Sequence, residues 1–181
     1  SKIQHAWATA VETVDLFTKQ AIKSNEGEKD WLDFFKLVSA SFAHMENAPQ
    51  PKDTPIDLKE LHKQIKKKVE SLKVFPKMNS WTSAIKFIEP KTKELRFFLL
   101  ELDVTLNNER ISIRGYPKEN EALATEHYLE VEKLQRGDSN KDAVLVGADS
   151  IEELRKAYPN YFADLTDFLD YLKSYLERGG N

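Results

Sequence analysis

Residues Leu95-Arg96-Phe97-Phe98-Leu99-Leu100-Glu101-Leu102-Asp103 decide the fold. Successive side chains of a strand point to opposite faces. Phe97 and Leu99 therefore share one face, and Phe98, Leu100 and Leu102 the other. Both faces are apolar in the middle, the pattern of a central strand covered on both sides. The neighbouring segments are expected to pair with it or pack on it.

Two further strands are expected downstream. Arg110–Tyr116 places Ile111 and Ile113 inward, and Pro117 ends it. Ala143-Val144-Leu145-Val146-Gly147 is short and wholly apolar, which predicts an interior strand. A fourth is predicted upstream over Trp81–Ile88, with Trp81, Ile85 and Phe87 inward and Glu89–Lys93 as a polar hairpin loop. Leu106-Asn107-Asn108-Glu109 reads as a turn, since Asn tolerates positive φ. Helices are expected over Lys118–Gln135 (Leu123, Ala124, Tyr128, Val131 inward), over a short stretch capped by Ser150 with Glu153, and over Ala163–Arg178.

The first third of the chain has helical periodicity. Ile3, Trp7, Ala10, Val14, Phe17 and Ala21 form one stripe of a helix over Lys2–Ile22, stopped at Ser24-Asn25-Glu26-Gly27. Trp31, Phe34, Phe35, Val38, Phe42 and Met45 form the stripe of a second, Glu28–Asn47, in an antiparallel pair with the first. Ala48–Pro55 holds three prolines and reads as a linker. Asp57 caps a third helix with Glu60 in the capping-box position; Leu58, Leu61, Ile65, Val69 and Leu72 form its seam, and Pro76 closes it. The expected architecture is α+β: a three-helix N-terminal arm, a small mixed β-sheet of order β-β-β-α-β, and C-terminal helices. By sequence order this divides into a helical hairpin (1–47), a Pro-rich linker with a basic helix (48–77) and an α/β C-terminal module (78–181).

A chain of 181 residues buries enough surface to fold without staples. It has no cysteine, which excludes a disulfide framework, thiolate metal sites and cysteine nucleophiles, and fits a reducing cytoplasm. No run approaches a membrane span. The net charge of -3 argues against bulk nucleic-acid binding, but the charge is uneven. Residues 52–77 carry eight lysines against four acids, and residues 118–181 carry eight basic residues against fourteen acids. Lys63, Lys66 and Lys67 on the third helix are thus a candidate interaction surface, as is the aromatic turn of Tyr158, Asn160 and Tyr161. RNA is not expected there, because no aromatic residues interleave with the lysines. No phosphate-binding glycine loop and no paired-histidine metal spacing occurs among the six glycines and four histidines.

His5, Trp7, Thr9 and Glu12 are polar or aromatic groups that the first helix could turn toward a neighbouring active site. Ser1-Lys2-Ile3-Gln4-His5-Ala6-Trp7-Ala8-Thr9-Ala10-Val11-Glu12 resembles the segment just after the catalytic Glu-containing strand of RelA/SpoT-type alarmone synthetases. In that family an E-x-Q-x-R strand leads into a helix with a His/Ala/Trp-Ala motif. Many members follow Trp-Ala with a Glu-His pair, where this chain has Val11-Glu12. Asp142–Phe162 and Glu28-Lys29-Asp30-Trp31-Leu32-Asp33-Phe34-Phe35 are similar to one subgroup of the same family. The resemblance implies pyrophosphate transfer from ATP to the 3′-hydroxyl of GDP or GTP, with magnesium, in the stringent response. The family's catalytic Asp and Glu and its nucleotide-binding Arg and Lys lie upstream of the stretch matching Ser1. This chain is therefore expected to be a non-catalytic, regulatory or substrate-selecting C-terminal piece of a longer cytoplasmic protein, with no cofactor of its own. His5, Trp7, Thr9 and Glu12 are its expected nucleotide-adjacent residues. Its expected partners are the upstream synthetase region and, as a further candidate, a second copy of itself. The alternative is a stand-alone interaction or oligomerisation module without nucleotide chemistry.

Overall fold

The computed structural model describes residues 1–19, 25–105 and 110–179. Among these lie seven α-helices and one three-stranded antiparallel sheet: α1 (Lys2–Lys19), α2 (Asn25–Met45), α3 (Leu58–Leu72), α4 (Val74–Ile88), β1 (Phe97–Asp103), β2 (Arg110–Tyr116), α5 (Glu121–Gln135), β3 (Lys141–Gly147), α6 (Ala148–Ala157) and α7 (Tyr161–Glu177). The expected α+β architecture, with helices before and after a sheet, is the one found. The expected turn over 106–109 lies outside the described residues, as do Ala21 and most of the stop signal around Ser24; Asn25–Gly27 belong to α2 rather than to a break.

The chain forms two compact units. One comprises Ser1–Glu12, Ser24–Phe75 and Asn160–Asn181; the other comprises Thr13–Lys23 and Pro76–Pro159. Both are discontinuous, whereas the division by sequence order groups 160–181 with the sheet. The physical reason lies in α7, whose apolar stripe of Tyr161, Leu165, Phe168 and Leu172 finds its aromatic partners on α2.

In the helical unit, α2 is the central element. It packs against α3. Its Phe35 meets Trp7 of α1 edge-on, with centroids 6.1 Å apart, and Phe168 of α7 at 5.9 Å. Trp31, Phe34, Phe35 and Phe42 are all buried, and each such ring stabilises the unit by about 1.5–3 kcal/mol relative to exposure. The seam of α3, Leu61, Ile65, Val69 and Leu72, is buried as the periodicity requires. Asp57 caps α3 by accepting from the Lys59 amide at 3.3 Å. Glu60 does not complete a capping box; its carboxylate accepts from Gln64 Nε2 at 3.1 Å.

In the sheet unit, β1 lies between β2 and β3 and pairs antiparallel with both. Leu99, Tyr116 and Ala143 form one face with Tyr128, Ala124 and Val131 of α5 laid over it. Phe98, Leu100, Leu102, Val144 and Val146 lie on the other face and are buried too. There α6 packs on β3, and Lys77 of α4 reaches Asp142 of β3 at 2.9 Å. The two-faced reading of the central strand therefore holds. Gly115 faces Phe98 across the ladder; a Cβ there would meet Leu95 Cδ1 at 2.5 Å, so a larger residue would require the Leu95 side chain to move aside.

Four expectations need correction. Trp81–Ile88 is not a strand but the second half of α4. Val74, Met78, Trp81, Ile85 and Ile88 recur at helical spacing and are all buried, while Phe87 is 49% exposed and carries the Lys91 ammonium over its ring at 3.8 Å. Pro76 opens this helix rather than closing the one before. It occupies the first turn, where no intrahelical donor is needed, and α3 is ended by Lys73 in the left-handed region (φ 54). The sheet accordingly has three strands, not four, and it is antiparallel rather than mixed. The crossover helix α5 does join two strands running the same way, β2 and β3, but β1 lies between them, so no parallel pair is hydrogen-bonded. β3 is an edge strand in pairing; its apolar composition reflects cover on both faces. Lastly, α6 starts at Ala148 straight after β3, with Gly147 in the cap position and no side-chain cap from Ser150.

Candidate functional site

His5 and Thr9 are four residues apart on α1 and so lie on one face. Ala6 and Ala10 beside them are fully buried; their small side chains let neighbouring atoms approach closely. Asp164 stands in the first turn of α7. It occupies the buried stripe of that helix and is only 7% exposed. Its Oδ2 lies 3.2 Å from Thr9 Oγ1 and 3.2 Å from His5 Nε2. A buried carboxylate without partners costs about 1–3 kcal/mol or more, so the threonine and the imidazole are what permit an acid there. Thr9 Oγ1 also lies 3.1 Å from the His5 carbonyl; having one proton, the hydroxyl can donate to only one of the two oxygens at a time.

This cluster has the residue types of a nucleophilic triad but not its geometry. A triad needs the hydroxyl to give its proton to the imidazole, and the carboxylate to orient the far side of the ring. Here hydroxyl and imidazole converge on the same carboxylate oxygen, and the Thr9 hydroxyl sits in a fully buried residue. The chemistry it supports is a latch between α1 and α7 with the histidine on its solvent side.

The other two residues of the expected nucleotide-adjacent set lie apart from it. Trp7 projects to a different side of α1 and donates from Nε1 to the Phe35 carbonyl of α2 at 3.0 Å. Glu12 is exposed one turn further along. Asp164 was missed by sequence reasoning. The available signal was an acid at a position where the Tyr161–Leu165–Phe168 stripe calls for an apolar residue, which implies a buried partner.

Two aromatic groups complete the inner wall of the helical unit. Tyr171 and Ser41 share a hydrogen bond of 2.9 Å, and Tyr171 stacks on Tyr175 at 6.2 Å. Burial pushes the Tyr171 phenol above its ordinary range. Burial, with Tyr171 beside it, pushes Tyr175 up to about 12 against the opposing pull of Arg178. His62 of α3 bonds the Leu176 carbonyl near the end of α7 at 3.1 Å.

Of the lysines, Lys63 and Lys67 line a groove of about 420 Å³ in the helical unit, together with Leu37, Glu60, Gln64, Lys68 and Ser71. Lys66 is exposed outside it. The aromatic turn is not brought together as a stacking surface. Tyr161 is fully buried, with Phe162 edge-on at 5.2 Å; Asn160 is exposed, and Tyr158 is half-buried at the end of α6.

Among the described residues no group of three or more His, Asp or Glu is placed to hold a metal ion. No helix among them is long and apolar enough to cross a membrane. No protein-family model matches the chain, and no curated protein matches it either.

Proposed function

We propose that the chain is the non-catalytic C-terminal part of a RelA/SpoT-type alarmone synthetase, acting in the cytoplasm. In this reading the first turns of α1 form a wall beside an active site supplied by an upstream region of the same protein. That region holds magnesium and binds ATP and GDP or GTP; the sheet unit is regulatory or selects the substrate. One observation carries the proposal. Two of the stretches that bear the resemblance, Ser1–Glu12 and Glu28–Phe35, are separate in sequence, yet they engage one another within the helical unit. Trp7 of Ser1–Glu12 bonds Phe35 of Glu28–Phe35. His5 and Thr9 of the same stretch are held in addition by Asp164 of α7, which lies outside the resembling stretches. A motif helix held in this way is what a fixed active-site wall requires. His5 stays solvent-accessible, its side chain 54% exposed.

The test is the sequence encoded immediately before Ser1, together with the activity of the whole protein. A Glu-x-Gln-x-Arg strand there, with alarmone formed from ATP and GDP, supports the proposal. Its absence, or a whole protein that forms none, removes it. The second reading, an interaction module without nucleotide chemistry, is favoured by one feature: Leu123, Leu129 and Leu134 of α5 are 41%, 49% and 86% exposed. Leu123 and Leu134, three turns apart, share one face of α5, the face such a contact would use.

A further inference from the structure

We propose that the groove along α3 in the helical unit binds the linked phosphates of an oligophosphate, whether free or carried by a nucleotide. Its volume of about 420 Å³ falls in the range of small-ligand sites, about 300–1,000 Å³, and is too small to take a helix or a duplex. Lys63 and Lys67 stand on the same wall one helical turn apart, about 6 Å of rise, and Gln64 lies between them. Neither ammonium has an ion-pair partner among the described residues, in contrast to Lys68, which holds Asp30 at 2.8 Å and lies 4.0 Å from Asp33. Lys68 lines the groove as well, and those two carboxylates are its partners. The one acid in the lining, Glu60, accepts from the Gln64 amide. Ser71 adds a hydroxyl at the far end of the lining.

The chemistry selects phosphate over other ligands. Lysine binds phosphate as a point charge and needs no fixed fork. Two ammoniums one turn apart, with no ion-pair partner among the described residues, match an anion with charge at more than one centre. No aromatic ring lines the groove, so nothing there stacks on a base, as single-stranded RNA binding requires. Only the phosphates are held, and a nucleotide's base would lie outside.

The experiment is calorimetric titration of the 181-residue chain with inorganic tripolyphosphate at low and at moderate salt, with ATP and a short RNA duplex as separate arms. The expected result is binding of tripolyphosphate that weakens with salt and falls at least tenfold in Lys63→Gln/Lys67→Gln. It should persist in Lys63→Arg/Lys67→Arg and in a charge-matched control, Lys93→Gln/Lys156→Gln. ATP binding at similar strength would assign the groove to nucleotide phosphates as well, and weaker ATP binding to free oligophosphate. Absence of tripolyphosphate binding, equal loss in the charge-matched control, or binding of the RNA alone would overturn the proposal. Circular dichroism of each variant distinguishes a lost site from a lost fold.

Discussion

The helical unit and the sheet unit solve the same problem in different ways. A helix satisfies its own backbone, so side chains must set how one helix lies on the next. In the helical unit they do so through bonds reaching far along the chain: Thr9 to Asp164, Trp7 to the Phe35 carbonyl, Ser41 to Tyr171 and His62 to the Leu176 carbonyl. In the sheet unit the ladder itself fixes register, because a slip of one residue would exchange the two faces and bring each set of side chains under the wrong cover. Its side-chain pairs include one part-buried hydrogen bond, Tyr116 with His127 at 2.8 Å, and ion pairs nearer the surface: Arg96 with Asp149 and Glu152, Lys77 with Asp142, and Arg155 with Glu89. The difference teaches where each unit is vulnerable. Deleting one buried polar group should cost the helices more than deleting one surface ion pair costs the sheet.

The largest effect expected is on the aromatic centre. Phe35→Ala removes a ring that meets Trp7, Trp31, Phe34 and Phe168, and should lower unfolding free energy by about 3–5 kcal/mol in urea titration. Next is the latch. Asp164→Ala leaves the Thr9 hydroxyl without its carboxylate partner and should cost about 1–3 kcal/mol. Asp164→Asn, which keeps an acceptor, should cost less. Breaking a surface pair of the sheet unit by Glu89→Gln should cost at most about 1 kcal/mol. If the sheet variant proves the more damaging, the contrast drawn between the units fails.

pH sharpens the same contrast. The folded helical unit favours the protonated Tyr175, whose value is raised to about 12 from an ordinary value near 10. The resulting stabilisation is complete below pH about 10 and is lost as pH rises through 12. Tyr171, shifted the same way, adds to it. In the sheet unit the sign is opposite. The Thr105 hydroxyl and then its amide donate to Asp103, holding that carboxylate below its usual range. Its contribution is present above about pH 4 and is lost as pH falls through the lowered value. Denaturation midpoints should therefore show an alkaline loss that Tyr175→Phe flattens and an acid loss that Asp103→Asn flattens. The smallest effect concerns α3: replacing Lys63, Lys66 and Lys67 with Gln should change stability by less than about 1 kcal/mol.

Much of the fold was legible in the residues. Alternation with both faces apolar marked β1, and a stripe of large aromatics marked α2 as a buried helix. Asp57 marked the start of α3. Misreadings arose where two signals competed. Over Trp81–Ile88 a short apolar run fits either period, and Pro76 hid the continuity with Val74 and Met78 that makes it helical. Ser150 and Glu153 have the spacing of a capping box, but the chain turns into α6 directly from β3. The candidate site was half legible. His5, Trp7 and Thr9 share a helix and could be singled out, but their partners Phe35 and Asp164 are 28 and 155 residues away. Nothing local specifies those contacts, because they depend on how the helices pack.

The most direct test of the functional proposal is to measure alarmone formed from ATP and GDP with magnesium by the whole protein, by its Asp164→Ala variant and by the isolated 181-residue chain. The whole protein should form product, the variant several-fold less because its motif helix has lost the latch, and the isolated chain none. Product from the isolated chain, or a whole protein without activity, would contradict the proposal.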